Sequence, residues 1–299
     1  CVEVPGADSI IADAEAVREV LLADRADKRW STIGQSFGGF LTLSYLSFAP
    51  QSLRDCRITA GLAPIRTSVD NVYQHTFDRM KERNEEYYSW FPEDAELATR
   101  IAEHLRTHKE YLPTGERLTD HRFQMAGHFL GGRWRERGLH YFLETAFAEG
   151  NDHLSDQFLT AMGAEVTFQA NPLYALMHET IYADGPADGV LPGIPGYELS
   201  PSPAPTNWSA ARVAASRPEF APDADRLLFT GEHIFPWYYE EDPSLRPLAE
   251  VANLLAEKKD WGRLYDHAQL HKNEVPVVAA AYNPDVYVDF EHSMETDRW

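Results

Sequence analysis

The sequence predicts an α/β fold in which a parallel sheet is interrupted by a large, mostly helical insertion. Three observations predict it. The chain through Leu62 alternates helical and strand-like patterns, residues 65 to 261 are rich in Glu, Arg, Leu, Ala and aromatics, and a short apolar run returns at Val275–Ala281. Alternating helices and strands build parallel sheets, because each crossover helix covers a face of the sheet.

Each element follows from local pattern. Asp8 or Ser9 is placed to cap a first helix, with Ile10, Ala14, Val17 and Leu21 recurring along one face. After the polar break Asp24–Arg29, Trp30–Ile33 reads as the end of a short strand. The turn Gly34–Gly39 leads into a buried helix begun by Phe40–Leu46, which ends before Pro50, and Arg57–Leu62 reads as a second strand. Within the insertion, Val72–Ser89 and Ala95–Lys109 read as helices. Pro186, Pro192, Pro195, Pro201, Pro203 and Pro205 mark an irregular surface loop. Val275–Ala281 reads as a buried strand, with Pro276 at its start, where a missing ladder bond is tolerated. The expected organisation is core at 1–64, helical insertion at 65–262 and a return to the core at 263–299.

Composition narrows the function. The 299 residues are 43% hydrophobic, as in an ordinary globular protein, which excludes a disordered chain. Lys+Arg 27 against Asp+Glu 47 leaves a net charge of −20. Such a surface repels phosphate backbones and anionic lipid, so nucleic acid and membrane are not expected partners. No apolar run approaches the roughly 20 residues that cross a bilayer. Cys1 and Cys56 make neither a disulfide framework nor a metal-type spacing, which fits a reducing compartment, the cytoplasm.

The chemistry is concentrated at Gly34-Gln35-Ser36-Phe37-Gly38. This Gly-x-Ser-x-Gly pattern is that of a nucleophile elbow, where a serine on a sharp strand-to-helix turn is lifted above an α/β-hydrolase sheet. Glycines are needed because side chains beside the serine would strike the adjacent strand and helix. The turn also aims the helix's first free N–H groups, including that of Phe37, at a developing oxyanion. The bare pattern arises by chance in about one chain in ten of this length, so the flanking apolar strand and helix carry the inference.

A catalytic serine in this fold is followed by an acid and then a histidine. Asp285, just after the run Val275–Ala281, is the expected acid, with Asp289 second. The only histidine beyond it is His292, and fourteen residues remain after Asp285, too few for a further helix, strand and loop. Only about thirty residues precede the elbow, where this fold places several strands. The expectation is a fragment lacking N-terminal strands and the catalytic histidine, inactive by itself, with His292 a poor replacement base.

At Gly34-Gln35-Ser36-Phe37-Gly38-Gly39-Phe40 the sequence resembles the proline iminopeptidases, serine aminopeptidases with a helical cap on an α/β-hydrolase core. The likeness includes Asp8-Ser9-Ile10 through Ala14-Glu15, Pro172–Glu179, Phe229-Thr230-Gly231-Glu232, Pro236-Trp237, Glu274–Val277 and Tyr287-Val288-Asp289. It implies that Ser36 is the nucleophile and Asp285 the triad acid. It implies release of N-terminal proline from peptides without metal or organic cofactor, with cap glutamates holding the free imino group. Glu179 matches one such position and Glu232 is the other candidate. The chain departs from the family in lacking an upstream His-Gly-Gly-Pro type oxyanion segment and the downstream histidine.

Physical chemistry supports the glutamates independently. An aminopeptidase separates a chain end from an internal peptide by its cationic amine, which partly desolvated carboxylates recognise. Tyr174, Phe235, Trp237 and Tyr238 are available to hold a pyrrolidine ring, although each alone is ordinary core material. Glu240 and Glu241 read as a solvated face. His104 and His108 share a helix face, but Arg106 and Lys109 mark that face as exposed and polar, and no metal is expected. Asn207-Trp208-Ser209 is a chance glycosylation sequon, and Gly131-Gly132 lacks the preceding strand of a phosphate loop. Two alternatives stay open: another capped hydrolase acting on an ester, amide or epoxide, and a non-catalytic binding protein on the same scaffold. Oligomeric state is left open.

Overall fold

The computed structural model describes residues 6–132, 135–148, 152–185 and 205–298. Pro186, Pro192, Pro195, Pro201 and Pro203 of the expected loop lie outside the described residues. The chain is α/β and divides into two units: residues 1–72, 180–206 and 257–299, and residues 73–179 and 207–256.

The first unit holds the sheet. Its elements begin with α1 (Ala7–Leu21), β1 (Trp30–Gln35), α2 (Phe37–Phe48) and β2 (Leu53–Thr59). β2 lies between β1 and the strand Val277–Ala280, parallel to both. Thr59 is opposite Gln35 on one side and Ala280 on the other, so all three strands finish at one edge. α2 is apolar nearly all round and correspondingly buried, with Phe40, Leu43 and Leu46 packed in one cluster with Leu53, Cys56 and Ile58 of β2.

Three expectations need correction here. β2 starts at Leu53, four residues before Arg57, and ends at Thr59. Arg54 and Asp55 look like a polar break, yet Arg54 is the extra residue at a register shift, left exposed between Leu53 opposite Trp30 and Asp55 opposite Ser31, and Asp55 accepts from Ser31 Oγ (2.8 Å) and pairs with Arg57. In this chain the strand Val277–Ala280 is exposed at all four positions, not buried: among the described residues it is an outer strand of the sheet, and apolar composition favours a strand without supplying a layer to cover it. In α1 the buried residues are Ala7, Ile11 and Arg18, while Ile10, Val17 and Leu21 point outward. Nor does Asp8 or Ser9 cap it. Gly6 is the N-cap, and Ser9 Oγ donates back to the Gly6 carbonyl (2.9 Å).

A polar network turns α1 to this face. Arg18 donates to both carboxylate oxygens of Glu15 (2.8 Å each) and to the Lys28 carbonyl (2.9 Å). Glu15 also accepts from Ser52 Oγ (2.7 Å) and from the Tyr45 hydroxyl. The Arg18 hydrogen bonds, against the cost of burial, lower the Glu15 pKa to about 2. A carboxyl held below its unfolded value contributes stability that is complete above about pH 4.5 and is lost as pH falls through about 2. Glu15→Gln should therefore cost about 1–2 kcal/mol at neutral pH, the pair being partly screened. Thermal unfolding should show the difference between the variant and the native protein shrinking below about pH 4.5 and closing as pH falls through about 2.

The second unit is helical. It contains the helix Val69–Trp90 from Tyr73 onward, then Pro92–Thr107, Glu136–Glu144 and Asp156–Glu165. Pro92 is at the first turn, where it forfeits no helical bond, and Ser155 caps the fourth helix through the Phe158 N–H. Phe77, Met80, Ile101, Leu105, Phe123, Phe158 and Phe229 fill its core.

Side chains, not a ladder, fix one extended segment there. Asn84 Oδ1 accepts from Phe229 N (2.8 Å), and its Nδ2 donates to the Phe229 carbonyl (2.9 Å). Gln124 Nε2 donates to the Leu228 carbonyl (2.8 Å), and the Tyr88 hydroxyl to that of Leu227 (2.7 Å). The segment delivers the turn Gly231–His233.

Candidate active site

Ser36 stands between β1 and α2 with φ 53° and ψ −123°, a conformation that L-residues rarely adopt. Ser36 N donates to the Thr59 carbonyl (2.9 Å) of β2, and the Ser36 carbonyl accepts from Gly39 N (2.8 Å). These two bonds clamp the kink between sheet and helix. The side chain is exposed, does not cap α2 and makes no hydrogen bond among the described residues. As first residues of α2, Phe37 and Gly38 have N–H groups with no intrahelical acceptor.

The glycines are not equivalent. A Cβ at Gly34 would lie 2.2 Å from the Gly38 oxygen, and one at Gly39 would lie 2.4 Å from the Gly61 oxygen. Both contacts are with backbone, so neither position has room for a side chain. At Gly38 a Cβ meets nothing within 4 Å, so the steric reason expected for the last glycine of the pattern does not hold.

Asp285 follows the strand Val277–Ala280, at the same edge of the sheet as Ser36. Two strand spacings, about 10 Å, separate that strand from β1. One oxygen, Oδ1, accepts from Tyr287 N (2.8 Å) and Val288 N (3.1 Å), which fixes the carboxylate on its loop. Asp289 is spent differently. Its Oδ1 caps the helix Phe290–Asp297 through Glu291 N (3.0 Å) and His292 N (3.1 Å). His292 is buried, with Nε2 3.2 Å from Asn71 Nδ2 and Nδ1 3.8 Å from Asp289 Oδ1.

Glu179 and Glu232 are both in the second unit, and His178 connects their neighbourhoods. His178 precedes Glu179 in the chain and its Nε2 lies 2.9 Å from the Glu232 carbonyl oxygen. Glu179 is buried and its Oε1 accepts from Ala210 N (3.1 Å), in the first turn of the helix Ser209–Ala215. Glu232 is half-buried, and its carboxylate makes no hydrogen bond or ion pair among the described residues. The structure therefore leaves Glu232 the freer of the two. Phe235, Trp237 and Tyr238 pack together, Phe235 and Trp237 stacked at 5.5 Å between centroids. Tyr174 stacks on Phe168, which also packs on Tyr238.

Two polar groups differ from expectation. Glu241 is no free solvated group: it accepts from Thr119 Oγ1 (2.8 Å) and faces His121 Nε2 at 2.7 Å, whereas Glu240 is exposed. Burial opposes charge on His121, but Asp120 and Glu241 outweigh it and raise the ring to about 9. His104 is buried, with Nε2 2.6 Å from Glu110 Oε1, and stacks on His108 at 4.3 Å. Parallel stacking does not converge two rings on one ion. Glu93, Asp94 and His140 do bring ligand atoms within 4.8 Å of one another. Asp94 there already accepts from the Tyr87 hydroxyl and faces His140 Nδ1 at 3.0 Å, the pattern of a closed hydrogen-bonded knot.

No helix among the described residues is long and apolar enough to cross a membrane. No family model matches the chain. It is 42% identical over 291 residues to the proline iminopeptidase of Aeromonas sobria, an alignment covering 97% of this chain and 63% of that protein. It is 35% identical over 298 residues to the proline iminopeptidase aneH of Aspergillus aculeatus, covering 97% of this chain and 62% of that one. The chain thus spans a little under two thirds of the length of these relatives. Across the segment it shares with them, the chain is similar to these two proline iminopeptidases.

Proposed function

We propose that the whole protein is a serine aminopeptidase that releases N-terminal proline from peptides, built on an α/β-hydrolase core with a helical cap. The observation that carries this reading is the Ser36 turn: an exposed hydroxyl, free of local bonds, beside two N–H groups with no intrahelical acceptor. Ser36 Oγ attacks the carbonyl of the terminal proline while Phe37 N–H receives the developing oxyanion. A histidine takes the serine's proton and returns it to the departing amine, held in its tautomer by Asp285. Water then repeats the sequence on the acyl-enzyme. Burial of His292 and its contact with Asn71 suit it poorly to that task. We place the base in the part of the relatives' length that this chain does not span.

Specificity belongs to the second unit in this reading. Glu232, supported by Glu179, receives the substrate's cationic imino group, and Phe235 and Trp237 offer stacked faces to the pyrrolidine ring. No metal or organic cofactor enters the reaction. Cys56 is a free, buried thiol, in keeping with a reducing cytoplasm. Glu232→Gln in the full-length protein tests the assignment. Its kcat/KM on a proline arylamide should fall about 10²-fold, the cost of losing one partner of a partly buried charge pair. Its kcat/KM on an uncharged nitrophenyl ester should stay within about threefold, because that substrate offers no cation. Equal losses on both substrates would remove Glu232 from amine binding.

A further inference from the structure

Three histidines gather around the turn Gly231–His233, and the reaction proposed above uses none of them. The hydrogen bonds of two define which nitrogen carries the proton. His233 is buried and stacked on Phe77, with centroids 3.8 Å apart and planes 5° from parallel. Its Nδ1 accepts from Gly231 N (3.1 Å). Its Nε2 is 3.0 Å from Thr76 Oγ1, whose own hydroxyl donates to the Tyr73 carbonyl (3.1 Å). Nε2 is therefore the protonated nitrogen and Nδ1 the bare one. His178 Nε2 is 2.9 Å from the Glu232 carbonyl oxygen, which can only accept, so the proton is on Nε2 there too. The turn that carries Glu232 is thus held through Gly231 by one ring and through Glu232 by another.

Among the described residues, four groups act electrostatically on these rings. The Glu232 carboxylate acts on His178 and on His128, Arg135 acts on His128, and His178 and His128 act on His233. Tyr73, Phe77 and Phe235 surround His233, and Tyr174 lies beside His178. Burial is the largest influence on all three and lowers each, His233 furthest, which outweighs the pull of Glu232.

We infer that Gly231–Glu232–His233 is a proton-sensitive clasp, held in shape by neutral His178 and His233 and released by acid, so that protonation weakens capture of a cationic amine at Glu232. A proton added to His233 goes to Nδ1 and sets an N–H against the Gly231 N–H, so the turn must open. A proton added to His178 or His128 puts an imidazolium beside Glu232, in competition with the substrate's ammonium. His178 and His233 are positioning residues, acting through Glu232. The ligand consequence rests on the reading of Glu232 given above, whereas the clasp itself does not.

The test uses the full-length protein with ¹⁵N-labelled histidine and L-prolinamide as probe. The probe's amine, with an ordinary pKa near 8, stays mostly protonated from about pH 7 to about pH 4.5, a window that reaches well below the ordinary histidine value. The ring spectra should show His233 as the Nε2–H tautomer at pH 7. The Kd of prolinamide should rise about tenfold for each proton taken up per pH unit. His178→Gln keeps an N–H donor for the Glu232 carbonyl without a titrating ring, so its ratio of Kd values at the two pH values should shrink toward one. A Nδ1–H tautomer at His233, or one that titrates near its ordinary 6.5, overturns the clasp whatever the probe does. If the tautomer is as assigned and Glu232→Gln binds prolinamide as tightly as the native protein, the clasp stands and the reading of Glu232 fails. A Kd that is flat with pH while Glu232→Gln abolishes binding overturns the proton sensitivity alone.

Discussion

Alanine at Gly34 is expected to destabilise the first unit by about 4 kcal/mol or more, enough to unfold many domains of ordinary stability. The added carbon would lie 2.2 Å from the Gly38 oxygen and 2.4 Å from the Gly38 carbonyl carbon. A flexible side chain could swing away from such a contact, but these are backbone atoms in the first turn of α2. That helix cannot retreat, because Phe40, Leu43 and Leu46 are buried along it. Ordinary overpacking costs about 1–3 kcal/mol because neighbours yield, and here they do not. The comparison is Gly38→Ala, where the new carbon meets nothing within 4 Å. It should change stability by less than about 1 kcal/mol, helix propensity being its main effect. Denaturant unfolding followed by tryptophan fluorescence, with Trp30 reporting from β1, separates the two. Equal midpoints would mean that the turn is not held as tightly as these distances require.

The two glycines also show how far a pattern can be read. The turn was legible because tight strand–helix crossings demand glycine and because apolar runs flank it at Trp30–Ile33 and Phe40–Leu46. The pattern does not say which glycine bears the load; that depends on Gly61, whose backbone faces Gly39 from the end of β2. α1 departs from its apolar pattern for a related reason. Hydrophobic spacing assigned Ile10, Val17 and Leu21 to the core, whereas Arg18 and Glu15 are drawn in by Tyr45 and Ser52. Apolar periodicity cannot register a half-buried ion pair. Exposure of Val277–Ala280 was equally invisible, because it depends on the layers around an edge strand. At the candidate site the sequence cannot register that Glu179 accepts from the Ala210 N–H, a contact made by a residue 31 positions away. His128, His178 and His233 are far apart in sequence and come together only through the fold.

Replacing Ser36 by alanine should abolish turnover while leaving the fold almost untouched. Loss of a triad nucleophile costs about 10⁴–10⁶ in kcat, and the full-length variant should also lose covalent labelling by a fluorophosphonate. Stability should move by less than about 1 kcal/mol, because the hydroxyl neither caps α2 nor bonds to any described residue. Glycine at the same position separates chemistry from strain. With φ at 53° and ψ at −123°, Ser36 sits where a side chain costs about 1–3 kcal/mol and glycine does not. Ser36→Gly should therefore be equally inactive and more stable than Ser36→Ala by about 1 kcal/mol, part of the relief being offset by the greater freedom of glycine in the unfolded chain. An alanine variant that still turns over or still labels would remove Ser36 from the reaction. If alanine and glycine were equally stable, the kink would hold no strain, and the turn would be a packing feature that happens to carry a hydroxyl. Activity lost together with stability regained on removing the Cβ is what a backbone bent to present a nucleophile requires, and an ordinary surface serine yields neither.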